Sequence, residues 1–160
     1  MTLVLYLGGA RSGKSRLAVE RASSGGKPVT FIATGEAGDE EMAARIELHK
    51  RERPPAWRTV EEPRDLAGAL ASVPDGDTAL VDCLSLWVAN VGEGDAAALE
   101  AARARDGVTI AVSNEVGMGI VPANALAREY RDALGRVNAA WAAAADEAWF
   151  VVAGKTLRLS

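Results

Sequence analysis

The chain has 160 residues, 49% of them hydrophobic and 25% charged, and its 22 acidic against 18 basic side chains give a net charge of −4. That length suits one domain, residues 1–160, whose core removes about 68–70% of the unfolded surface from water, and the acidic balance offers no electrostatic case for a nucleic-acid partner. One cysteine, Cys83, excludes an internal disulfide and fits a reducing compartment, so the expected location is the cytoplasm.

The pattern opens on a strand, Leu3–Leu7, too short and too poor in basic residues to be a secretory leader. A helix follows over Lys14–Ser23, then a strand at Val29–Ala33, a helix at Asp39–Arg51 and a strand at Arg58–Val60. Next come a helix at Pro63–Ala71 and a strand at Thr78–Val81. The longest apolar region, Ala79 to Val91, is interrupted by Asp82, Ser85 and Asn90 and is too short to span a bilayer. The remainder reads as helix Asp95–Arg105, strand Val108–Ser113, helix Asn124–Ala145, and strands Ala148–Val152 and Thr156–Leu159. No repeat, low-complexity tail or linker divides it. Strands apolar throughout and separated by helices predict a mostly parallel α/β sheet covered on both faces. The last two strands, joined through Gly154, predict a C-terminal antiparallel hairpin.

The chemistry starts where the first strand ends. Gly8-Gly9-Ala10-Arg11-Ser12-Gly13-Lys14-Ser15 fits G-x-x-x-x-G-K-[ST], the phosphate-binding P-loop, between a strand and a helix. Glycines let successive N–H groups curl inward around a phosphate, and the helix N-terminus adds partial positive charge. Lys14 is expected to reach the β- and γ-phosphates of a nucleoside triphosphate and Ser15 to ligate Mg²⁺. Asp82, at the end of the apolar strand Thr78-Ala79-Leu80-Val81, matches the Walker B acid that completes that Mg²⁺ site. In an open parallel sheet ligands gather at the carboxyl ends of strands, which adds Thr34-Gly35, Glu61-Glu62 and Asn114-Glu115 to the candidates.

Three features stay open on the residues alone. The loop Ser113 to Pro122, with Gly117 and Gly119, reads equally as structural or substrate-facing. Cys83 sits in an apolar run and is expected to be a buried, inert thiol. The one histidine, His49, lies near a helix end, with Arg45 four residues before it and Arg53 four after if the helix continues to Pro54. It is either a solvated or capping imidazole, or a nucleophile flanked by two guanidiniums that clamp an α-phosphate; a metal site there has no second histidine to complete it.

Taken together these segments resemble the bifunctional adenosylcobinamide kinase / adenosylcobinamide-phosphate guanylyltransferases of cobalamin synthesis. The likeness rests on the P-loop string, Phe31-Ile32-Ala33-Thr34, Asp39 to Ile46, His49-x-x-x-Arg53-Pro54 and Trp57 to Glu61. It continues through Ser113-Asn114-Glu115-Val116-Gly117-Met118-Gly119-Ile120-Val121-Pro122 and Gly135 to Glu147, and so covers nearly the whole chain. The resemblance implies a RecA-like P-loop NTPase fold, a three-layer sandwich, assembled as a homotrimer. It implies phosphorylation of the aminopropanol hydroxyl of adenosylcobinamide with ATP or GTP, then GMP transfer from GTP through a covalent guanylyl-histidine at His49, yielding adenosylcobinamide-GDP and pyrophosphate. It further implies nucleotide contacts at Gly8 to Ser15, Ala33, Thr34, Gly35, Lys50, Arg51, Glu52, Arg53, Glu61 and Asp82, with Mg²⁺ on Ser15 and Asp82 and no membrane insertion. Between Asp82 and the fifth strand the chain is about one helix shorter than the family pattern, with Gly92-Glu93-Gly94-Asp95 and a brief Ala-rich helix in that place. Two other readings stand beside this one: a single-activity P-loop small-molecule kinase, and a RecA-type regulatory ATPase, for which the acidic balance is unfavourable.

Overall fold

The computed structural model describes the backbone of residues 1–160 and every side chain except that of Glu52. The strands are β1 (Thr2–Gly8), β2 (Val29–Ala33), β3 (Arg58–Glu61), β4 (Thr78–Asp82), β5 (Val108–Asn114), β6 (Glu147–Val152) and β7 (Lys155–Arg158). The helices are α1 (Lys14–Ser24), α2 (Glu40–Glu52), α3 (Leu66–Ala71), α4 (Leu84–Val91), α5 (Ala96–Ala104) and α6 (Ala125–Ala144). All seven strands join one sheet in the order β3-β2-β4-β5-β1-β6-β7, parallel except for the β6–β7 pair. The expected fold class is what is found: a parallel α/β sheet closed by an antiparallel hairpin. That hairpin turns on Ala153 (φ 50°) and Gly154 (φ 73°), two consecutive positive-φ residues of the kind a two-residue hairpin loop requires.

The central strands are apolar on both faces because helices cover both. On one face Leu3, Leu5, Leu7, Ile32, Val81 and Ala111 meet α3, α4, α5 and α6. There α6 contributes the stripe Ala133, Leu134, Val137 and Trp141, the i, i+4, i+8 spacing of one helix face. On the other face Val4, Tyr6, Phe31, Leu80, Ile110 and Val112 pack on Ala18 and Ala22 of α1.

Four helices start on a polar cap. A side-chain oxygen of Asp39, Asp65, Asp95 or Asn124 accepts from the backbone N–H three residues on, at 2.8, 2.8, 3.0 and 2.8 Å respectively. Helix α3 begins later than the expected Pro63, because Glu62 Oε1 accepts from the N–H groups of Arg64 (3.0 Å) and Asp65 (2.9 Å) and holds that stretch as a turn. The interval between Asp82 and β5 holds two helices where the sequence pattern suggests one. Helix α4 escapes the pattern because it is apolar nearly all round, with Leu84, Ser85, Trp87 and Val88 buried, and a short continuous apolar run has no helical period to read.

Leu134 is fully buried on α6 at the centre of the larger core cluster. Leu134→Ala is expected to cost about 2–5 kcal/mol, lowering the urea midpoint with little change in the slope of the transition.

Candidate functional site

The parallel strands bring the P-loop, the end of β2, the end of β4 and the end of β5 to one edge of the sheet. Gly8 closes β1 in a crowded place. A Cβ there would stand 2.5 Å from the Val151 carbonyl oxygen and 2.7 Å from Ser12 Oγ, so no side chain fits. The loop then rises through Arg11 (φ 54°) and Gly13 (φ 97°) into α1, whose first turn carries no acidic residue and no side-chain cap. Its leading N–H groups therefore face the loop cavity with partners still to be supplied. The hairpin turn braces this loop from behind, Gly154 N–H donating to the Ser12 carbonyl at 2.8 Å. Ser12 Oγ is buried without a hydrogen-bond partner among the described residues.

Lys14, 8% exposed, donates from Nζ to the Gly9 carbonyl at 3.0 Å. Burial pushes its ammonium below the ordinary lysine range, against the opposing pull of Cys83 and Asp82. Asp82, at the end of β4, is pushed up by burial. The charges of His49, Lys14 and Arg53 and the contact from the Ser15 hydroxyl all work the other way, His49 foremost. The structure thus gathers Lys14, Ser15, His49 and Arg53 around the Asp82 carboxylate. Ser15 and Asp82 together present hard oxygen donors, the kind Mg²⁺ takes while keeping its remaining positions for water and phosphate. Among the described residues no cluster of three His, Cys, Asp or Glu forms a protein-only metal cage.

The peptide after Asp82 is held by Thr34. Its buried hydroxyl accepts from Cys83 N–H at 2.8 Å and donates to the Cys83 carbonyl at 2.7 Å, while Thr34 N–H donates to the Asp82 carbonyl at 3.3 Å. Thr34 is fully buried and Ala33 nearly so; only Gly35 reaches partway to the surface, where a Cβ would touch Ile46 and Leu86 at 3.4–3.5 Å. The Cys83 thiol, pushed up to about 11 by burial, lies 2.9 Å from Ser85 Oγ, which agrees with the inert thiol expected from the sequence.

Helix α2 ends at Glu52, so Arg53 does not continue it four residues beyond His49. Arg53 adopts an extended conformation (φ −79°, ψ 142°) because Pro54 follows it and disfavours helix at the preceding residue. Its guanidinium lies 3.7 Å over the Phe31 ring, with NH1 3.4 Å from Thr59 Oγ1. His49 remains exposed in the last turn of α2 beside Lys50 and Arg51, close enough to Asp82 for its charge to act there. Lys50 pairs with Glu61 at 2.6 Å and Glu47 at 3.2 Å; the hydrogen bond raises the lysine and lowers Glu61. An open cavity of about 570 Å³ lies here, lined by Lys50, Arg53, Pro54, Pro55, Trp57, Thr59 and Glu61. The side chain of Glu52 lies outside the described residues.

Behind the site runs a polar chain that the sequence reading did not single out. Asn90 Nδ2 donates to the Thr34 carbonyl at 2.8 Å and to the Pro63 carbonyl at 3.0 Å. Arg64 NH1 donates to the Asn90 carbonyl at 2.7 Å, and Trp87 Nε1 to the Arg64 carbonyl at 2.9 Å. The signal for it was Asn90 itself, an amide interrupting the longest apolar run. No helix is long and apolar enough to cross a membrane.

Residues 4–159 match the family model described as cobinamide kinase / cobinamide phosphate guanyltransferase. The bifunctional adenosylcobalamin biosynthesis protein CobP of Pseudomonas aeruginosa is 45% identical over 166 residues, covering 97% of this chain and 95% of that protein. The CobU proteins of the same description from Salmonella typhimurium and Escherichia coli are 44% and 41% identical, each covering 95% of this chain and 96% of its own. Among solved structures, the RadB recombinase superposes with a TM-score of 0.47 at 16% identity, over 93% of this chain and 73% of that one.

Thr34→Val leaves the Cys83 N–H and carbonyl without their shared partner and is expected to cost about 1–3 kcal/mol. Thr34→Ser keeps the hydroxyl and most of the stability. Equal urea midpoints for the two variants would remove the structural role assigned to the hydroxyl.

Proposed function

The chain belongs to the cobinamide kinase / cobinamide phosphate guanyltransferase family, and from that premise we propose how its residues divide two reactions on one sheet edge. The enzyme is a bifunctional kinase and guanyltransferase. The family model names both activities, and the relatives of matching length are named bifunctional, which favours this reading over a single-activity kinase or a regulatory ATPase.

In the first reaction ATP or GTP lies along the P-loop of a single transferase domain, residues 1–160. The N–H groups at the start of α1 cradle the phosphates, and Lys14 exchanges its Gly9 carbonyl for β- and γ-phosphate oxygens. Ser15 and Asp82 would hold Mg²⁺, which when bound would supply charge neutralisation for the phosphates. Ala33, Thr34 and Gly35 contribute backbone only, since the Thr34 side chain is committed to Cys83. The acceptor is the aminopropanol hydroxyl of adenosylcobinamide.

In the second reaction a nitrogen lone pair of His49 attacks the α-phosphorus of GTP, and pyrophosphate leaves with the electrons of the broken bond. The phosphate of adenosylcobinamide phosphate then displaces His49, giving adenosylcobinamide-GDP. Lys50, Arg51, Arg53 and Glu61 line the approach to this nucleotide, Glu52 following in the same turn. The observation that carries this division is the convergence of His49 and Lys14 on Asp82 from two different elements. A phosphate chain held at Asp82 is within the reach of both.

The protein works in the cytoplasm as a homotrimer in this reading. Exposed Val116, Met118, Ile120 and Val121 in the loop after β5, with Leu126 on α6, support a partner that covers them.

Incubation with GTP labelled on the α-phosphate and Mg²⁺ should leave acid-labile, base-stable label on the denatured protein. The label should vanish in His49→Ala and on removing Mg²⁺ with a chelator, and an unlabelled wild type sinks the guanylyl step. Lys14→Ala should abolish phosphorylation of adenosylcobinamide; retained activity refutes the role given to the P-loop. Sedimentation equilibrium should return three times the 16.7 kDa chain mass, and a monomer at micromolar concentration would remove the trimer.

A further inference from the structure

Strand β5 lies between the strand that enters the P-loop and the strand that ends on Asp82. Its register places each residue. Val112 is the Cα partner of Asp82 on β4, and Asn114 is the partner of Gly8 on β1. Partners in a parallel pair share a face, and residues two apart on a strand share it too. Val112 packs on the α1 side with Leu80 and Val4. Asn114 therefore stands on the α1 side as well, two residues (about 6.6 Å) beyond the level of Asp82 toward the open edge.

The backbone of Asn114 is fixed from both sides. Its N–H donates to Ser85 Oγ at 3.4 Å and its carbonyl accepts from Asn138 Nδ2 at 3.0 Å. Asn138 is itself held by Ser113 Oγ at 2.6 Å, and Glu115 N–H reaches the Gly8 carbonyl at 3.1 Å. The side-chain amide is half-buried and has no hydrogen-bond partner among the described residues. A primary amide has two donors and an acceptor to satisfy, and here they open between the first glycine of the P-loop and Asp82.

We infer that Asn114 is a catalytic residue of the kinase reaction, its Nδ2–H donating to a γ-phosphoryl oxygen of the triphosphate held by Lys14 and Ser15. This rests on the P-loop roles given above. In the transfer the acceptor oxygen–phosphorus bond forms as the bond between the bridging oxygen and the γ-phosphorus breaks. The nucleoside diphosphate leaves with that electron pair and the acceptor's proton passes to solvent. Charge spreads over the γ-phosphoryl oxygens in the transition state, so a fixed neutral donor aimed at one of them lowers the barrier without adding a second buried cation beside Lys14. His49 attacks the other end of the same phosphate chain, so guanylylation does not use Asn114.

The test separates γ-phosphate contact from general damage. In Asn114→Ala, affinity for β,γ-imido-GTP should fall about tenfold or more, as for loss of a hydrogen bond to a charged group, while affinity for GDP stays within about twofold. Turnover of adenosylcobinamide should fall about ten- to a hundredfold, with His49 labelling at saturating GTP within about threefold of wild type. Asn114→Asp keeps the shape and so the fold, but sets a negative charge against the γ-phosphate. It should bind β,γ-imido-GTP more weakly than Asn114→Ala. The inference is overturned if imido-GTP and GDP affinities fall together, or if Asn114→Asp binds imido-GTP as wild type does. A wild type that fails to phosphorylate adenosylcobinamide would overturn the functional reading instead, and the contrast between the two nucleotides would still decide Asn114.

Discussion

A buried lysine ammonium and a half-buried carboxylate at the same end of an apolar sheet set the terms for the rest of this structure. Taking either charge out of water costs several kcal/mol unless opposite charge and hydrogen bonds replace the lost hydration. Lys14 has one backbone carbonyl, at Gly9, and the field of Asp82; Asp82 has Ser15 and the charges of His49, Lys14 and Arg53. Burial still pushes both groups toward their neutral forms. The site is left short of compensation in a way that an anion with a divalent cation would correct, the phosphate meeting the ammonium and the metal meeting the carboxylate.

A site under that tension has to be held by its surroundings, and the supports come from far away in sequence. Thr34, 49 residues from Cys83, fixes the peptide that follows Asp82 through both sides of one hydroxyl. Asn90 fixes Thr34, Arg64 fixes Asn90, and Trp87 fixes Arg64. On the other flank the β6–β7 turn presses on the P-loop, and Gly8 lets β1 pass within van der Waals reach of Val151. These contacts bond backbone groups more than side chains, so they set where the chain runs. The reacting groups are placed as a consequence.

What was legible in the sequence follows from the same physics. The inner strands β1, β2, β4 and β5 could be read because sheet burial on both faces demands continuous apolar runs, and the P-loop because its glycines and Lys-Ser pair serve a local geometry. Three helix starts, at Asp39, Asp95 and Asn124, were visible because a cap is a contact between residues three apart. Helix α4 was hidden: Leu84–Val91 is apolar nearly all round, and even its exposed residues, Ala89 and Val91, are apolar, so it shows no period. The second helix, read over Asp39–Arg51, in fact runs to Glu52, and Arg53, placed four residues after His49 only if the helix continued, is extended because Pro54 follows it. Thr34 could be placed at the site from its position after a strand, yet its partner across 49 residues could not.

In the proposed division the two reactions would make different demands on one triphosphate, and the sheet would separate them by element. The γ end would meet β1, β4, β5 and the start of α1, all locked to one another through the ladder and the larger part of the core. The α end would meet the last turn of α2, an exposed helix whose side chains meet the sheet edge through Ile46 near Gly35 and through the Lys50–Glu61 pair. A rigid frame suits in-line phosphoryl transfer, where small misplacements are costly. A nucleophile that must carry a guanylyl group toward a second, bulky acceptor is better placed on an element with fewer ties. His49, in the last turn of α2, sits on such an element, which is the placement the proposed guanylyl step would require.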